Sequence, residues 1–510
     1  MQSKTETIKN VKGNYYVSSF SWSMFQNILS AIIGFISTPL LLKYYGKTSF
    51  GILSIATACN GYMYLLDLGM NTGAVKFFSK WQTEGKMDLL KRVAGTNIAF
   101  YGFISLINII GLVILALCGE HLFSVTHENF LLLRKCLLIL AIFNLFSWYS
   151  STFNQLLISS MQITFTMKVQ SIINISKGLL IVAVFLFELT LQQYFFIFTL
   201  LVSLTVVPYV IRCKKSGLIN SILPKFYWQD FKPVIVFSLS IFALSLFQMT
   251  ATQSRPIILS IFSNDGAKEV ADFRIIETIP TFIIMICGTF TGIFLPKVSE
   301  MIAKNSNEEI SAFAYKWTKN TTIITNILTI PFILCAQEIL AAYVGEEYRY
   351  LSVWMIIWCL TVLVQMHTTP GNALVLGYGK TKQLVVTTSI SCCISIVINI
   401  VLTNHYGVGS AILAYFIYVL IVIGLYYLYY YKKLLNLSRI KMFFTFFKPT
   451  SIALLLFVVI KLIPSFGIET DGSRLPYLYI CLIKSTLWLI PYVLILLAFK
   501  IIDIRDFYKQ

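Results

Sequence analysis

VIVFSLSIFALSLFQMTATQSRPIILSIFS, residues 234–263, decides how this chain is read. About 20 apolar residues at helical rise cross a bilayer, and this run is longer. Within it Ser245, Gln248, Thr252 and Arg255 stand at i, i+3, i+7 and i+10, a spacing that puts all four on one helical face. An arginine near the middle of a membrane costs roughly 2.5–3.5 kcal/mol on insertion scales, so it faces a bundle interior or a wet cavity. The alternative is that Arg255 reaches a headgroup or pairs with a neighbouring carboxylate. Pro256 cannot donate to the Thr252 carbonyl, so the sequence predicts a kink beside the polar stripe.

The same face occurs earlier. In VSSFSWSMFQNILSAIIGFISTPLLL, residues 17–42, Ser23, Gln26 and Ser30 map onto Ser245, Gln248 and Thr252 at one constant offset. Ile33 stands where Arg255 would be, so the charge belongs to the second copy alone.

Only 12% of the 510 residues are charged, and the mean hydropathy is +0.77. Soluble domains carry about 25% charged residues, which makes this an all-α polytopic membrane protein. The N-terminus, MQSKTETIKNVKGNYY, is polar and basic, and the first apolar run is too long for a cleaved signal peptide. A net charge of +18 raises the question of nucleic acid. The basic residues sit in short loops between apolar runs, however, as the positive-inside rule requires, and no nucleic-acid partner is expected. The ten cysteines are scattered without CxxC spacing and read as small buried hydrophobes. The four histidines form no zinc-like cluster. No metal and no cofactor is expected.

Apolar runs recur near 17–42, 48–74, 93–118, 130–156, 169–188, 190–211, 234–263, 275–295, 320–343, 351–377, 384–403, 408–431, 444–463 and 477–500, giving about 14 transmembrane helices. With the N-terminus inside, about 28 of the 40 Lys and Arg fall in cytoplasmic segments and about nine in outer loops. Lys177, Arg255 and Lys484 lie within spans. Both termini are therefore cytoplasmic. The repeat extends to Gly69 opposite Gly292 and Asn154 opposite Asn372. The expected organisation is two six-helix lobes, 1–225 and 226–437, plus a hairpin at 438–510. An even number of spans per lobe makes the repeat parallel, about an axis along the membrane normal.

Other candidates have two readings each. Asp67 can bind a proton or cation, or close a helix end against a nearby lysine. Lys177 can meet an anionic substrate from a cavity, or reach the inner headgroups. Arg274 and Glu277, at i and i+3, are a gate or a structural pair, and the pair is the simpler reading. Lys484, in the last helix, is expected to snorkel. GYGKT at 377–381 lacks the earlier glycine of a phosphate-binding loop, since Leu374 stands there. No nucleophile with a base and an orienting group is visible, so no enzyme is expected.

The stretches YYGKTSFGILSIATACNGYMYLLDLGMNTGAVKFFSK (44–80), PGNALVLGYGKTK (370–382) and NHYGVGSAILAY (404–415) carry a resemblance that covers nearly the whole chain. It resembles the multidrug/oligosaccharidyl-lipid/polysaccharide exporter superfamily, and within it the O-antigen and capsular polysaccharide flippases. The resemblance implies two lobes around a central cavity lined by the first two helices of each. It implies alternating-access translocation of an undecaprenyl-pyrophosphate-linked oligosaccharide across a bacterial inner membrane. Membrane lipids, H+ or Na+, and other polysaccharide-assembly membrane proteins are the partners it suggests. The substrate-cavity candidates are then Ser23, Gln26, Ser30, Ser245, Gln248, Thr252, Arg255 and Lys177, with Asp67, Arg274 and Glu277 as ion or gate candidates. Hydroxyls and amides suit sugar hydroxyls, and a guanidinium suits a diphosphate.

Three other readings compete. A multidrug or small-molecule antiporter of the same superfamily would favour acidic cavity residues for cationic drugs. A polysaccharide polymerase would call for a sizeable outer loop, and every loop here is short. A structural scaffold would not need paired polar stripes.

Overall fold

Apolar runs of this length can satisfy their backbone in hydrocarbon only as helices or closed barrels. Among the described residues every regular element is helical. The computed structural model describes the backbone of residues 2–303, 307–462 and 474–501. Side chains are described from residue 18 onward, except at 20, 240, 241, 244, 288–293, 295–297, 299, 300, 303 and 307.

The chain folds as two compact units, Met1–Ala271 and Asp272–Gln510. The first contains α1 (Gln2–Met63), α2 (Met70–Thr83), α3 (Met87–Cys118), α4 (His127–Ser159), α5 (Ile163–Phe187), α6 (Leu191–Ser203), α7 (Val206–Lys215) and α8 (Trp228–Phe262). The helix α9 (Gly266–Ala303) starts in the first unit and continues into the second. There it is followed by α10 (Asn307–Leu334), α11 (Ala336–Tyr343), α12 (Ser352–Met366), α13 (Thr369–Gly377), α14 (Lys382–Tyr406), α15 (Val408–Leu425), α16 (Arg439–Lys461) and α17 (Arg474–Ala498).

The fourteen apolar runs coincide with helices or helix pairs. Among the described residues ten helices are long and apolar enough to cross a membrane, or eleven if α10 and α11, bent by 75° around Cys335, form one span. Fourteen crossings is thus an expectation from hydropathy. One cause of the lower number is visible at α1, where a single 47-residue segment, Ser21–Asp67, is about twice what one crossing needs. It is broken at Gly46, whose φ of 79° and ψ of 164° are open only to a residue without Cβ. The break separates the first two apolar runs.

Local signals set other ends. Thr190 and Gln193 form a reciprocal capping box at the start of α6, with the Thr190 N–H donating to Gln193 Oε1 (2.9 Å). Ser438 caps α16 by accepting from the Lys441 N–H (3.4 Å).

The core of the first unit is aromatic. Phe78, Tyr101, Trp148, Phe153 and Phe231 are each no more than 2% exposed and belong to one cluster, and the Tyr101 and Trp148 rings stack at 5.7 Å. Within this unit helices lie hard against one another. A Cβ on Gly73 of α2 would stand 1.9 Å from Ser238 Oγ of α8, and one on Gly51 of α1 would stand 1.8 Å from the Ala267 carbonyl oxygen at the start of α9. The second-unit core includes Trp358 and Trp488. There α16 and α17 are both tied to α10 by Asn326, which donates to Thr450 Oγ1 (3.3 Å) and Tyr492 Oη (3.2 Å).

Candidate functional site

Helical spacing brings polar side chains together on three helices of the first unit. Gln26 and Ser30 project from α1, Ser147, Ser150, Ser151 and Asn154 from α4, and Gln170, Asn174 and Lys177 from α5. They line one cavity of about 360 Å³, completed by Tyr64, Thr205 and Tyr209. Ile173 and Val202 are its apolar wall. Ser150 and Thr205 share a hydrogen bond of 3.1 Å, and the Tyr64 ring leans on Trp148 at 5.3 Å. The Asn154 Oδ1 is buried and accepts no hydrogen bond from the described residues. Among the described residues Lys177 supplies the one positive charge of the lining, its Nζ lying 5.0 Å from the centroid of Phe198, and no carboxylate lines the cavity.

Three residues singled out from sequence, Gln26, Ser30 and Lys177, therefore share one cavity. Ser23, half-buried on α1, does not line it, and neither does the α8 stripe. Ser245 and Thr252 are half-buried, Gln248 is exposed, and Arg255 is buried at 5% exposure. Helix α8 runs uninterrupted across Pro256, from Trp228 to Phe262. What lets it continue lies one residue back. Pro256 leaves the Thr252 carbonyl without its helical donor, and Arg255 Nε donates to that oxygen at 3.2 Å. The guanidinium stands in for the missing N–H. Thr252 Oγ1 in turn donates to the Gln248 and Met249 carbonyls (3.1 and 3.0 Å).

Asp67 is not closed by a lysine. The Tyr101 hydroxyl donates to its Oδ1 at 2.5 Å and the Asn71 N–H to its Oδ2 at 3.1 Å. Lys76 instead places its Nζ 3.5 Å from the centroid of Phe237. The carboxylate begins a chain of amides. Gln155 donates to Tyr101 Oη (2.6 Å) and to Asn71 Oδ1 (3.0 Å), and Asn97 donates to Gln155 Oε1 (2.8 Å) and Thr152 Oγ1 (3.3 Å). Tyr101, Gln155, Asn97 and Thr152 are fully buried. Asp67 lies outside the cavity lining.

Arg274 and Glu277 are hydrogen-bonded to each other in α9, both side chains about three-quarters buried. Lys484 does not snorkel. Its ammonium donates to Glu338 Oε1 at 2.7 Å, across from α11, with side chains only 14% and 20% exposed. Among the described residues no cluster of His, Cys, Asp and Glu could hold a metal ion.

The α4 contribution, Ser147, Ser150, Ser151 and Asn154, was overlooked at the level of sequence. Its spacing of i, i+3, i+4 and i+7 is a full polar stripe in an otherwise apolar helix, and Gln170, Asn174 and Lys177 repeat it on α5.

A family description, "polysaccharide biosynthesis protein", matches residues 16–302, more than half of the chain. No curated protein sequence matches. Among solved structures, one titled "Lipid II flippase MurJ, inward closed conformation" is similar with a TM-score of 0.71 at 17% identity, covering 95% of this chain and 99% of that one. An inward-facing multidrug resistance MATE family transporter of the MOP superfamily gives a TM-score of 0.62 at 12% identity, over 77% and 92%. The MATE multidrug transporter DinF-BH gives 0.58 at 15%, over 83% and 97%. At these identities the likeness establishes the fold, that of multi-pass membrane transporters. By the match to its first half and more, the chain belongs to the polysaccharide biosynthesis protein family.

Proposed function

We propose that the protein is a flippase that carries undecaprenyl-pyrophosphate-linked oligosaccharide units across the bacterial inner membrane by alternating access, for surface polysaccharide assembly. The observation that carries this reading is the chemistry of the first-unit cavity. Among the described residues hydroxyls and carboxamides line it, with one ammonium and no carboxylate. Such a surface offers donors and acceptors to sugar hydroxyls and a single cation to a phosphate. A pump for cationic drugs would need the reverse sign. In this reading Gln26, Ser30 and Lys177 contact the substrate. The α8 stripe of Ser245, Gln248, Thr252 and Arg255 shapes the wall in the second copy of the repeat. The two six-helix lobes, the added hairpin and cytoplasmic termini belong to the same proposal.

The test is leaflet-resolved measurement of lipid-linked glycan in a strain lacking the gene, complemented with wild type or with Lys177→Gln. Wild type should restore surface polymer. The deletion should accumulate diphosphate-linked units on the inner leaflet, and the variant should do so partially at equal protein level. An unchanged glycolipid pool in the deletion strain would overturn the assignment, and altered drug sensitivity in that case would favour the antiporter.

A further inference from the structure

A second cavity, of about 630 Å³, lies in the second unit where α10 and α16 begin and α17 ends. Four lysines line it: Lys319 from α10, Lys441 and Lys448 from α16, and Lys500 just past α17. Among the described residues no carboxylate lines it, and none of the four lysines is ion-paired with a described carboxylate. Lys441 and Lys448 are two turns apart on one face, with Phe444 and Thr445 between them. Four ammoniums brought to one cavity with no counter-charge among its described lining repel one another, and a bound anion relieves that.

The remaining walls narrow the choice of anion. Phe444, Pro449, Phe499 and Ile501 are apolar. Beside them Phe443, Phe444 and Phe447 form a ring cluster, with centroids 5.3 to 6.4 Å apart and each residue 45–46% exposed. A soluble phosphate has no use for such a wall, whereas acyl chains do. Tyr315 Oη accepts the Ser438 N–H (2.8 Å), so its own proton remains to donate to a ligand oxygen. With the N-terminus inside, as the distribution of Lys and Arg leads one to expect, Lys319, Lys441 and Lys500 fall at the cytoplasmic ends of their apolar runs, where anionic phospholipid is abundant and fills an open site by mass action.

We infer that this cavity holds an anionic phospholipid of the inner leaflet, its phosphates on Lys319, Lys441, Lys448 and Lys500 and its acyl chains along Phe443, Phe444 and Phe447. The site is independent of the first-unit cavity and of what that cavity carries.

The test uses the purified full chain in nanodiscs, with native mass spectrometry reading retained lipid. The probes are tetraoleoyl cardiolipin, phosphatidylcholine, inorganic phosphate and undecaprenyl diphosphate. Wild type should retain cardiolipin about tenfold over phosphatidylcholine, and the preference should weaken with added salt. Lys441→Gln with Lys448→Gln should erase the preference, and Arg at both positions should keep it. Helix content by circular dichroism must match wild type in both variants. A Lys80→Gln control, at an exposed lysine elsewhere, should change nothing. Equal retention of the two lipids, or an unchanged preference in the double Gln variant, overturns the inference. Displacement of cardiolipin by inorganic phosphate would make the site one for a soluble anion, and displacement by equimolar undecaprenyl diphosphate would make it a substrate site. Either result overturns it too.

Discussion

Lys484→Met should be among the most damaging single changes in the second unit, and the double change of Lys484 and Glu338 to Met should be nearly harmless. The ammonium and the carboxylate are 2.7 Å apart, with 14% and 20% of their side chains exposed. Removing one partner of a fully buried pair costs about 3–5 kcal/mol, because the survivor keeps its charge without its counter-ion. A corner of each side chain still reaches solvent or headgroups, so a value below that range applies, about 2–3 kcal/mol. Replacing both groups with apolar side chains of similar length removes the desolvation cost together with the attraction, and should stay within about 1 kcal/mol of wild type. The assay is denaturant titration of purified protein in mixed micelles. Fluorescence is a suitable readout because Trp488, buried on α17 and one turn from Lys484, reports on this helix. The double-mutant cycle should return a coupling of about 2 kcal/mol or more. If Lys484→Met alone is as mild as the double variant, the pair contributes nothing and the lysine reaches the headgroups instead.

Further expectations follow from other contacts. Tyr101→Phe removes the donor to Asp67 and the acceptor for Gln155, and should cost about 1.5–3 kcal/mol in the same titration, as bonds to charged groups do; a loss below about 0.5 kcal/mol would mean that Asp67 is neutral or solvated there. Gly51→Ala drives a methyl into the Ala267 carbonyl and should destabilise by at least about 1–3 kcal/mol. Gly34→Ala, on the same helix with nothing within 4 Å, should be neutral or gain about 0.5–1 kcal/mol from helix propensity; equal effects at both positions would contradict the packing. Arg255→Ala should cost about 1 kcal/mol less in a Pro256→Ala background, where the Thr252 carbonyl regains a backbone donor, and additivity would show that the Arg255–Thr252 contact is idle.

Some of this was readable before any coordinates. Fourteen apolar runs landed on helices because a buried backbone permits little else. Gln26, Ser30 and Lys177, which share the first-unit cavity, stood out because a polar group in an apolar helix is conspicuous by itself. The α4 serines lacked charge and drew no notice, though their periodicity was on view. What no periodicity carries is the partner across space. Asp67 meets Tyr101, 34 residues on, and Lys484 meets Glu338, 146 residues back. For that reason the lysine alternative for Asp67 and the expected snorkel of Lys484 both gave way to contacts set by helix packing. At Pro256 the freed carbonyl was legible in the sequence, whereas its capture by the adjacent side chain was not.

That replacement bears on the match between residues 17–42 and 234–263. Where the later stretch has Arg255–Pro256, the earlier has Ile33–Gly34, a pair in which the backbone N–H is present and no side-chain donor is called for. Proline alone at 256 would leave a bare carbonyl in a helix meant for hydrocarbon. The Nε of the adjacent guanidinium is committed to that carbonyl, so one of the donors that make arginine an anion ligand is already spent on the backbone.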